Sequence, residues 1–206
     1  MTRSQEFWVD RYHFRMPRNR QQIPRAEREA AILERAVELF AANGYRGTSV
    51  AAVGRAAGVA PAAVHWYYPT KDDLFAAAVT SIFDSVRERV EADRKINGDP
   101  YAELVALVSD AQSYRSLHRE AYERMEESES IRAAYDHVQS WLDERLLAAI
   151  AERNPRGVDI ELIADMAHVL FEGMLISSRR LDRSAGELIG LVFESLAAVA
   201  ATKRGR

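Results

Sequence analysis

Apolar residues recur every three or four positions along most of this chain, which is the spacing of amphipathic helices. The alternation of apolar and polar residues that is typical of strands is absent, and no segment repeats. The pattern predicts longer helices over about residues 25–43, 71–96, 101–114, 117–125, 131–153, 159–180 and 185–202. Two shorter helical patterns, near 50–57 and 61–67, lie between the first two of these. We therefore expect an all-α protein.

The two short patterns are bounded by residue types that begin and end helices. Thr48 and Ser49 are of the kind that caps a helix N-terminus, and Gly58 suits the left-handed turn that follows a helix. Pro61 favours the first turn of a helix, and Pro69 pushes the residue before it into an extended conformation. A helix, a glycine turn and a second helix in about two dozen residues form a helix-turn-helix, whose second helix enters the major groove of DNA.

The neighbouring helices extend this motif into a family resemblance. The motif is preceded by ILERAVELFAANGYRGTS, residues 32–49, and followed by KDDLFAAAV, residues 71–79, which Thr70 can cap. In order and spacing, residues 32–79 resemble the N-terminal domain of the TetR family of bacterial transcriptional regulators. Beyond residue 79 the chain carries helices but no motif of that family.

The resemblance implies an architecture and a function. It implies an N-terminal three-helix helix-turn-helix domain, residues 25–70, joined by a long helix to a C-terminal helical domain, residues 71–206, that binds a ligand and dimerises. It further implies a sequence-specific DNA-binding regulator, a repressor, that binds a pseudo-palindromic double-stranded operator as a homodimer and is released by a small apolar or aromatic effector.

Two other classes of function remain open at this point. A helical interaction module without DNA binding would explain the amphipathic helices, although it would leave the basic N-terminal region unexplained. An enzyme would need a site of an unfamiliar kind, because G-x-S-x-G, Walker A, H-E-x-x-H and dinucleotide-binding glycine motifs are all absent. The pattern calls for no cofactor.

Charge is distributed unevenly along the chain, although the net charge is only −3. Residues 1–71 hold 11 Lys and Arg against 6 Asp and Glu, whereas residues 72–206 hold 17 against 25. A basic front on an acidic body is expected when one end meets a polyanion. Residues 1–24 form a basic, partly disordered arm in this interpretation. Its arginines either follow phosphates and the minor groove, or belong to a tail without a DNA contact.

The resemblance also assigns positions in the second short helix, here called the recognition helix. Val64 and Tyr68 match its core positions. On so short a helix, Trp66 and Tyr67 cannot both face inward beside them. Ala60 departs from the family's usual capping serine. The residues expected to contact DNA are Thr48, Ser49, Ala62, Ala63, His65, Trp66, Tyr67 and Lys71. The alanines would contact thymine methyl groups, and Lys71 would bind a phosphate.

The last two predicted helices are apolar around most of their circumference. A monomer of this size could bury one such helix, so two in succession predict a homodimer in which the pair packs against its symmetry mate. In the first of them, Glu161, Asp165, His168 and Glu172 lie on one stripe. That spacing could hold a divalent metal, but the more ordinary interpretation is solvation or ion pairing, since no second copy of the motif exists.

Effector-lining residues can be predicted only as the large side chains of the middle helices. They are Tyr114, His118, Tyr122, Met125, Tyr135, Trp141, Phe171 and Met174, with Tyr101 as a further candidate. Several of these must be ordinary core residues.

Composition adds little beyond these points. Apolar residues make up 48% of the chain and charged residues 29%, as in an ordinary globular protein. Cysteine is absent, and no stretch approaches the length of a secretory or membrane-spanning segment, so we expect a cytoplasmic protein with no membrane partner.

Overall fold

A computed structural model describes residues 24–153, 160–176 and 183–202, and these residues form helices without a strand. The all-α prediction is thereby confirmed. The predicted arm lies, apart from Pro24, outside the described residues. In chain order the elements are α1 (Arg25–Gly47), α2 (Val50–Ala56), α3 (Pro61–Tyr67), α4 (Lys71–Ala92), α5 (Pro100–Ala111), a 3-10 turn (Gln112–Tyr114), α6 (Arg115–Arg124), α7 (Glu129–Arg153), α8 (Ile160–Ile176) and α9 (Ala185–Thr202).

Helix α1 is interrupted near its end, at Gly44. This residue has φ 69° and ψ −179°, a backbone conformation that side chains with a Cβ rarely adopt, and a last helical turn follows it. A Cβ at this position would lie 2.9 Å from Oε1 of Glu120 on α6. The glycine predicted as the end of this helix is therefore also the point where α6 approaches α1.

The helix-turn-helix forms as its sequence predicts. Ser49 caps α2 by accepting a hydrogen bond from the backbone N–H of Ala52 at 3.1 Å. Gly58 has φ 69°, and Pro61 opens α3, which ends where Tyr68 turns extended. Helices α2 and α3 are thus held at a fixed angle by a glycine turn and a proline start.

Helix α4 begins with a capping box. The Thr70 hydroxyl accepts from the backbone N–H of Asp73 at 3.0 Å, and the Asp73 carboxylate accepts from the backbone N–H of Thr70 at 2.9 Å. The helix ends at Ala92, with Asp93 extended, earlier than the predicted end near residue 96. Residues 93–97 instead form turns closed by backbone hydrogen bonds to the Asp93 carbonyl.

Buried apolar side chains form two clusters that divide α4 between them. The first cluster includes Leu74 to Val79 from the start of α4, together with side chains of α1 to α3, α6 and the beginning of α7. The second includes Phe83, Val86 and Val90 and joins α4 to α5, α7, α8 and α9. The apolar core therefore continues across residue 70, and α4 is packed at both ends.

Aromatic side chains fix the contact between α1 and α4. The rings of Phe40 and Phe75 pack edge to face with centroids 5.0 Å apart, and both side chains are completely buried. Tyr45 packs edge-on against Phe75 at 5.1 Å. Removing either phenylalanine side chain would leave a large cavity, at a cost of about 3 to 5 kcal/mol.

A partly buried ion pair joins α5 and α7. Glu103, which is buried, lies 3.1 Å from the Nε atom of Arg145 across α5 and α7, and also accepts the backbone N–H of Gly98 at 2.7 Å. An ion pair of this kind adds little net stability, but removing one partner leaves an unpaired charge in the core. It fixes the register of α5 against α7.

Candidate DNA-binding surface and effector pocket

The recognition helix α3 separates its core residues from its surface residues as predicted. Val64 and Tyr68 are buried in the first apolar cluster, whereas Trp66 is 62% exposed. An indole this exposed gains little from burial in the free protein. Its position on the outer face of α3 makes it available to another molecule.

Arg25, which was not among the predicted contact residues, lies beside this aromatic surface. Its guanidinium is 4.4 Å from the centre of the Trp66 ring and 5.9 Å from that of Tyr67. The two rings pack edge to face at 4.8 Å, and the Tyr67 hydroxyl donates to the Arg25 carbonyl at 3.4 Å. The start of α1 thus adds a positive charge to the recognition helix. The available sequence signal was an arginine at the first turn of α1, directly after Pro24.

The remaining predicted residues of α3 differ in exposure. Ala62 and His65 are exposed, whereas Ala63 is half-buried. The Nδ1 atom of His65 donates a hydrogen bond to the carbonyl of Pro69 at 3.0 Å, so one ring nitrogen is occupied in closing the turn after α3. His65 therefore has its other ring nitrogen available for a contact outside the protein.

Thr48, which was predicted to contact DNA, does not lie at the surface. Its side chain is buried, and its hydroxyl donates to the carbonyl of Leu39 on α1 at 3.0 Å. The hydroxyl satisfies a carbonyl near the end of α1, so the structure gives it an internal role rather than a surface one. Ser49 is exposed at the N-terminus of α2, where backbone N–H groups favour anions.

Lys71 is held at a junction between the DNA-binding helices and α6. Its Nζ atom lies 4.1 Å from the centre of the Tyr45 ring, and the guanidinium of Arg124 lies 4.0 Å from the same ring. Burial and, to a smaller extent, the charge of Arg124 lower the pKa of Lys71. A phosphate beside this ammonium group would favour its charged form.

Asp72 balances the positive charge at this junction. It forms an ion pair with Arg124 at 3.2 Å and accepts a short hydrogen bond from the Tyr45 hydroxyl. Burial and this hydrogen bond raise the pKa of Tyr45 to about 12. The carboxylate of Glu120 also accepts the backbone N–H of Tyr45, at 2.8 Å. Helix α6 is thus tied to the end of α1 and the start of α4 by charged groups as well as by apolar packing.

A mainly apolar pocket with a cavity volume of about 60 Å³ and an open mouth lies in the C-terminal helices. Of the predicted effector residues, Tyr114 and His118 line it. The other lining residues come from α4, α5, α6, α7 and α8, namely Val79, Ile82, Phe83, Val86, Leu107, Ala111, Arg115, Leu117, Val138, Leu142 and Leu175. Because α4 supplies one wall, the pocket touches the helix that begins at Lys71.

The other predicted effector residues do not line this pocket. Tyr122, Met125 and Tyr135 pack in or against the first apolar cluster, and Trp141, Phe171 and Met174 in or against the second. Trp141 also donates its indole N–H to Glu91 at 3.0 Å. The candidate Tyr101 packs on α9, where its ring meets that of Phe193. The sequence prediction favoured large side chains, whereas the pocket is lined mostly by branched aliphatic ones.

The polar stripe of α8 is paired with α7 rather than arranged around a metal. Nδ1 of His168 donates to Asp143 at 2.8 Å, and Glu172 accepts the Tyr135 hydroxyl at 3.0 Å. Asp165 is exposed, and the side chain of Glu161 lies outside the described residues. Among the side chains that the structure describes, no group of three or more His, Asp or Glu could hold a metal ion. Likewise, no described helix is long and apolar enough to cross a membrane.

Comparison with known proteins agrees with this geometry. Residues 32–78 match the family model described as bacterial regulatory proteins, tetR family. The chain is 24% identical over 156 residues to the HTH-type transcriptional regulator BetI of Rhizobium meliloti (strain 1021), an alignment that covers 72% of this chain and 76% of that protein. It is 30% identical over 78 residues to the fatty acid metabolism regulator protein of Bacillus subtilis (strain 168). This alignment covers 38% of this chain and 40% of that protein.

Solved structures share the fold of most of the chain. A transcriptional regulator from Rhodococcus sp. Rha1 superimposes with a TM-score of 0.64 at 20% identity, covering 82% of this chain and 96% of that one. FadR of Thermus thermophilus, a TetR-family repressor in complex with lauroyl-CoA, superimposes with a TM-score of 0.58 at 17% identity. The superposition covers 82% of this chain and 93% of that one.

The fold and the exposed recognition helix thus define a helix-turn-helix DNA-binding protein. More particularly, residues 32–78 form a DNA-binding domain of the tetR family of bacterial regulatory proteins.

Proposed function

We propose that this regulator binds a pseudo-palindromic operator as a homodimer and acts as a repressor that a small apolar or aromatic effector releases from DNA. The observation that carries the proposal is the position of α4, which follows the exposed recognition helix α3 in the chain and also lines the apolar pocket. The start of α4 lies at the junction of Tyr45 and Lys71, and its next turns line the pocket.

The dimer is proposed from the apolar surface of α8 and α9. Val169 is 64% exposed and Leu191 is 61% exposed, and Met166 and Leu170 are exposed on α8 as well. Large apolar side chains clustered on two adjacent helices favour association, because burying them removes apolar surface from water. A second copy of the chain would bury both faces at once through a two-fold axis.

On DNA, the proposed contacts divide into those to phosphates and those to bases. The phosphate contacts would come from hydrogen-bond donors or positive charges of Arg25, Ser49, Tyr67 and Lys71. The residues proposed to approach the base edges are Ala62, Ala63, His65 and Trp66. Apolar contacts to thymine methyl groups would contribute most to base recognition. We leave Thr48 out of this set because its hydroxyl is engaged inside the protein.

Release follows if the effector prefers one arrangement of α4. A ligand in the pocket touches Val79, Ile82, Phe83 and Val86 on α4, about two to four turns from Lys71. A shift of α4 would alter the separation of the two recognition helices and their match to the two half-sites. A coupling of about 1 to 3 kcal/mol would weaken operator binding roughly 5- to 150-fold. FadR of Thermus thermophilus, which shares this fold, is in complex with lauroyl-CoA, a ligand with a long apolar chain.

Footprinting on genomic DNA tests this proposal. The purified protein should protect inverted repeats whose half-site centres lie about 34 to 36 Å apart or a multiple of that distance. Isolated half-sites should bind poorly, and Arg89→Ala, on an exposed face of α4, should leave the footprint unchanged. Single asymmetric sites, or a monomer in light scattering, would contradict the proposal.

A further inference from the structure

The wall of the effector pocket contains a partly buried histidine, His118, with a ring nitrogen that lacks a hydrogen-bond partner. The Nε2 atom of His118 is shielded from solvent, and no described protein atom hydrogen-bonds to it. Leaving a buried polar atom unpaired normally destabilises a protein, so such an atom beside a cavity indicates a position where a ligand can supply the missing bond.

The surroundings of His118 favour its neutral form. The ring packs against Tyr135 of α7 with centroids 5.3 Å apart, and the Tyr135 hydroxyl in turn donates to Glu172 of α8. The pocket walls from α4, α5 and α8 are apolar, including Ile82 and Leu107. Burial lowers the pKa of His118 from 6.5 to about 4. At neutral pH the pocket therefore presents an uncharged hydrogen-bonding group.

Arg115, one helical turn before His118, is the charged residue of this lining. It interacts with another part of the protein and lines the same pocket. Its positive charge disfavours a cationic ligand in the same space. Transferring a carboxylate into a pocket lined mostly by aliphatic side chains would cost much of its hydration.

We propose that the effector is an uncharged, largely apolar molecule with one hydroxyl group, which hydrogen-bonds to His118 inside the pocket. This inference rests on the proposed function, because it specifies the ligand of the same pocket. A hydroxyl both donates and accepts a hydrogen bond, so it matches Nε2 in either neutral tautomer. Because the Nε2 atom is shielded in the free protein, this bond requires the imidazole to rotate about its Cβ–Cγ bond, a torsion with a broad energy minimum.

Three ligands with one common ring system test the proposal on the full-length protein. They are naphthalene, 2-naphthol and 2-naphthoate, and their dissociation constants are measured by ligand fluorescence at pH 7.5. We expect 2-naphthol to bind about tenfold more tightly than naphthalene, which is the size of one net hydrogen bond, and 2-naphthoate to bind more weakly than 2-naphthol. Equal binding of naphthalene and 2-naphthol, or tightest binding of 2-naphthoate, would overturn the proposal.

Two variants assign the bond to a residue. His118→Phe should bind naphthalene about as well as the parent and lose the tenfold advantage of 2-naphthol. Tyr114→Phe removes a different hydroxyl from the same wall and should retain that advantage. Loss of the advantage in Tyr114→Phe with retention in His118→Phe would refute the role of His118. If His118→Phe does not fold, the ranking of the three ligands on the parent protein still decides.

The same measurements separate this inference from the function on which it rests. Operator affinity is measured with each ligand at saturation. If naphthalene and 2-naphthol bind equally and both weaken operator binding, the effector pocket stands and the hydroxyl inference fails. If none of the three ligands binds, the inference fails together with the pocket's proposed role for ligands of this size.

Discussion

The backbone N–H of Tyr45 donates a hydrogen bond to the carboxylate of Glu120 at 2.8 Å, across 75 positions of sequence. This bond joins the residue after the Gly44 interruption of α1 to the middle of α6, and α6 also supplies Arg115 and His118 to the pocket. Helix α6 is therefore a second physical connection, beside α4, between the pocket and the DNA-binding helices.

Glu120→Ala should destabilise the protein by about 1 to 3 kcal/mol, because the half-buried N–H of Tyr45 loses a charged acceptor. Urea denaturation measures the change. Glu123→Ala is the matched control, since that exposed carboxylate lies on the same helix and pairs only loosely with Arg119 at 3.7 Å. Equal stability of the two variants would show that the bond to Tyr45 contributes nothing.

Trp66→Ala should change the base preference of the operator. The indole is 62% exposed in the free protein, so its loss should leave the unfolding free energy within about 0.5 kcal/mol of the parent. Selection from a random DNA library measures the preferred site. Recovery of the parent's site by the variant would refute a base contact by Trp66.

Lys71→Ala should weaken binding to all DNA sequences alike and lower the slope of log affinity against log salt by about 1, as expected when one phosphate contact is lost. Fluorescence anisotropy over a series of salt concentrations measures the slope. Lys95→Ala, an exposed residue beyond the end of α4, provides the control. An unchanged slope for Lys71→Ala would place its ammonium group away from the phosphates.

Val169→Glu should convert a dimer into monomers and abolish binding to the full operator, because it places a charge in the centre of the exposed apolar face of α8. Light scattering and operator binding are both measured. Ala133→Glu introduces the same side chain at an exposed position of α7, and this variant should remain dimeric and bind the operator. A dimeric Val169→Glu protein would assign the dimer contact to another surface.

Acid should destabilise the protein through His118. Because the folded state holds the pKa of His118 near 4, against 6.5 unfolded, the unfolded state binds more protons between these values. Stability is therefore lost as the pH falls below 6.5, by about 2 kcal/mol between pH 7 and pH 5 from this residue. His118→Phe should remove that part of the loss, whereas His137→Gln, at an exposed position, should retain it. Identical pH profiles for the parent and His118→Phe would contradict this assignment.

The helix boundaries of the helix-turn-helix could be predicted from the sequence, because they depend on residues close together in the chain. Ser49, Gly58, Pro61 and Thr70 set helix ends through backbone conformation and capping, and these effects act within three or four positions. The family resemblance likewise placed Val64 in the core, and the shortness of the helix placed the adjacent aromatics outside it. The end of α4 was predicted too late, since the turns after Ala92 are closed by backbone hydrogen bonds that leave no periodic signal.

The sequence by itself therefore determined the helices, the recognition helix and the family. Only the tertiary structure decided which side chains line the pocket, since Tyr114 and His118 face it while Trp141 and Phe171 fill the core. It also decided that Thr48 turns inward and that Arg25 lies over Trp66. The physical reason is that burial and side-chain pairing depend on how distant helices pack. Residues such as Arg25 and Trp66, or Tyr45 and Glu120, meet only after the chain has folded, and no short-range pattern records their contact.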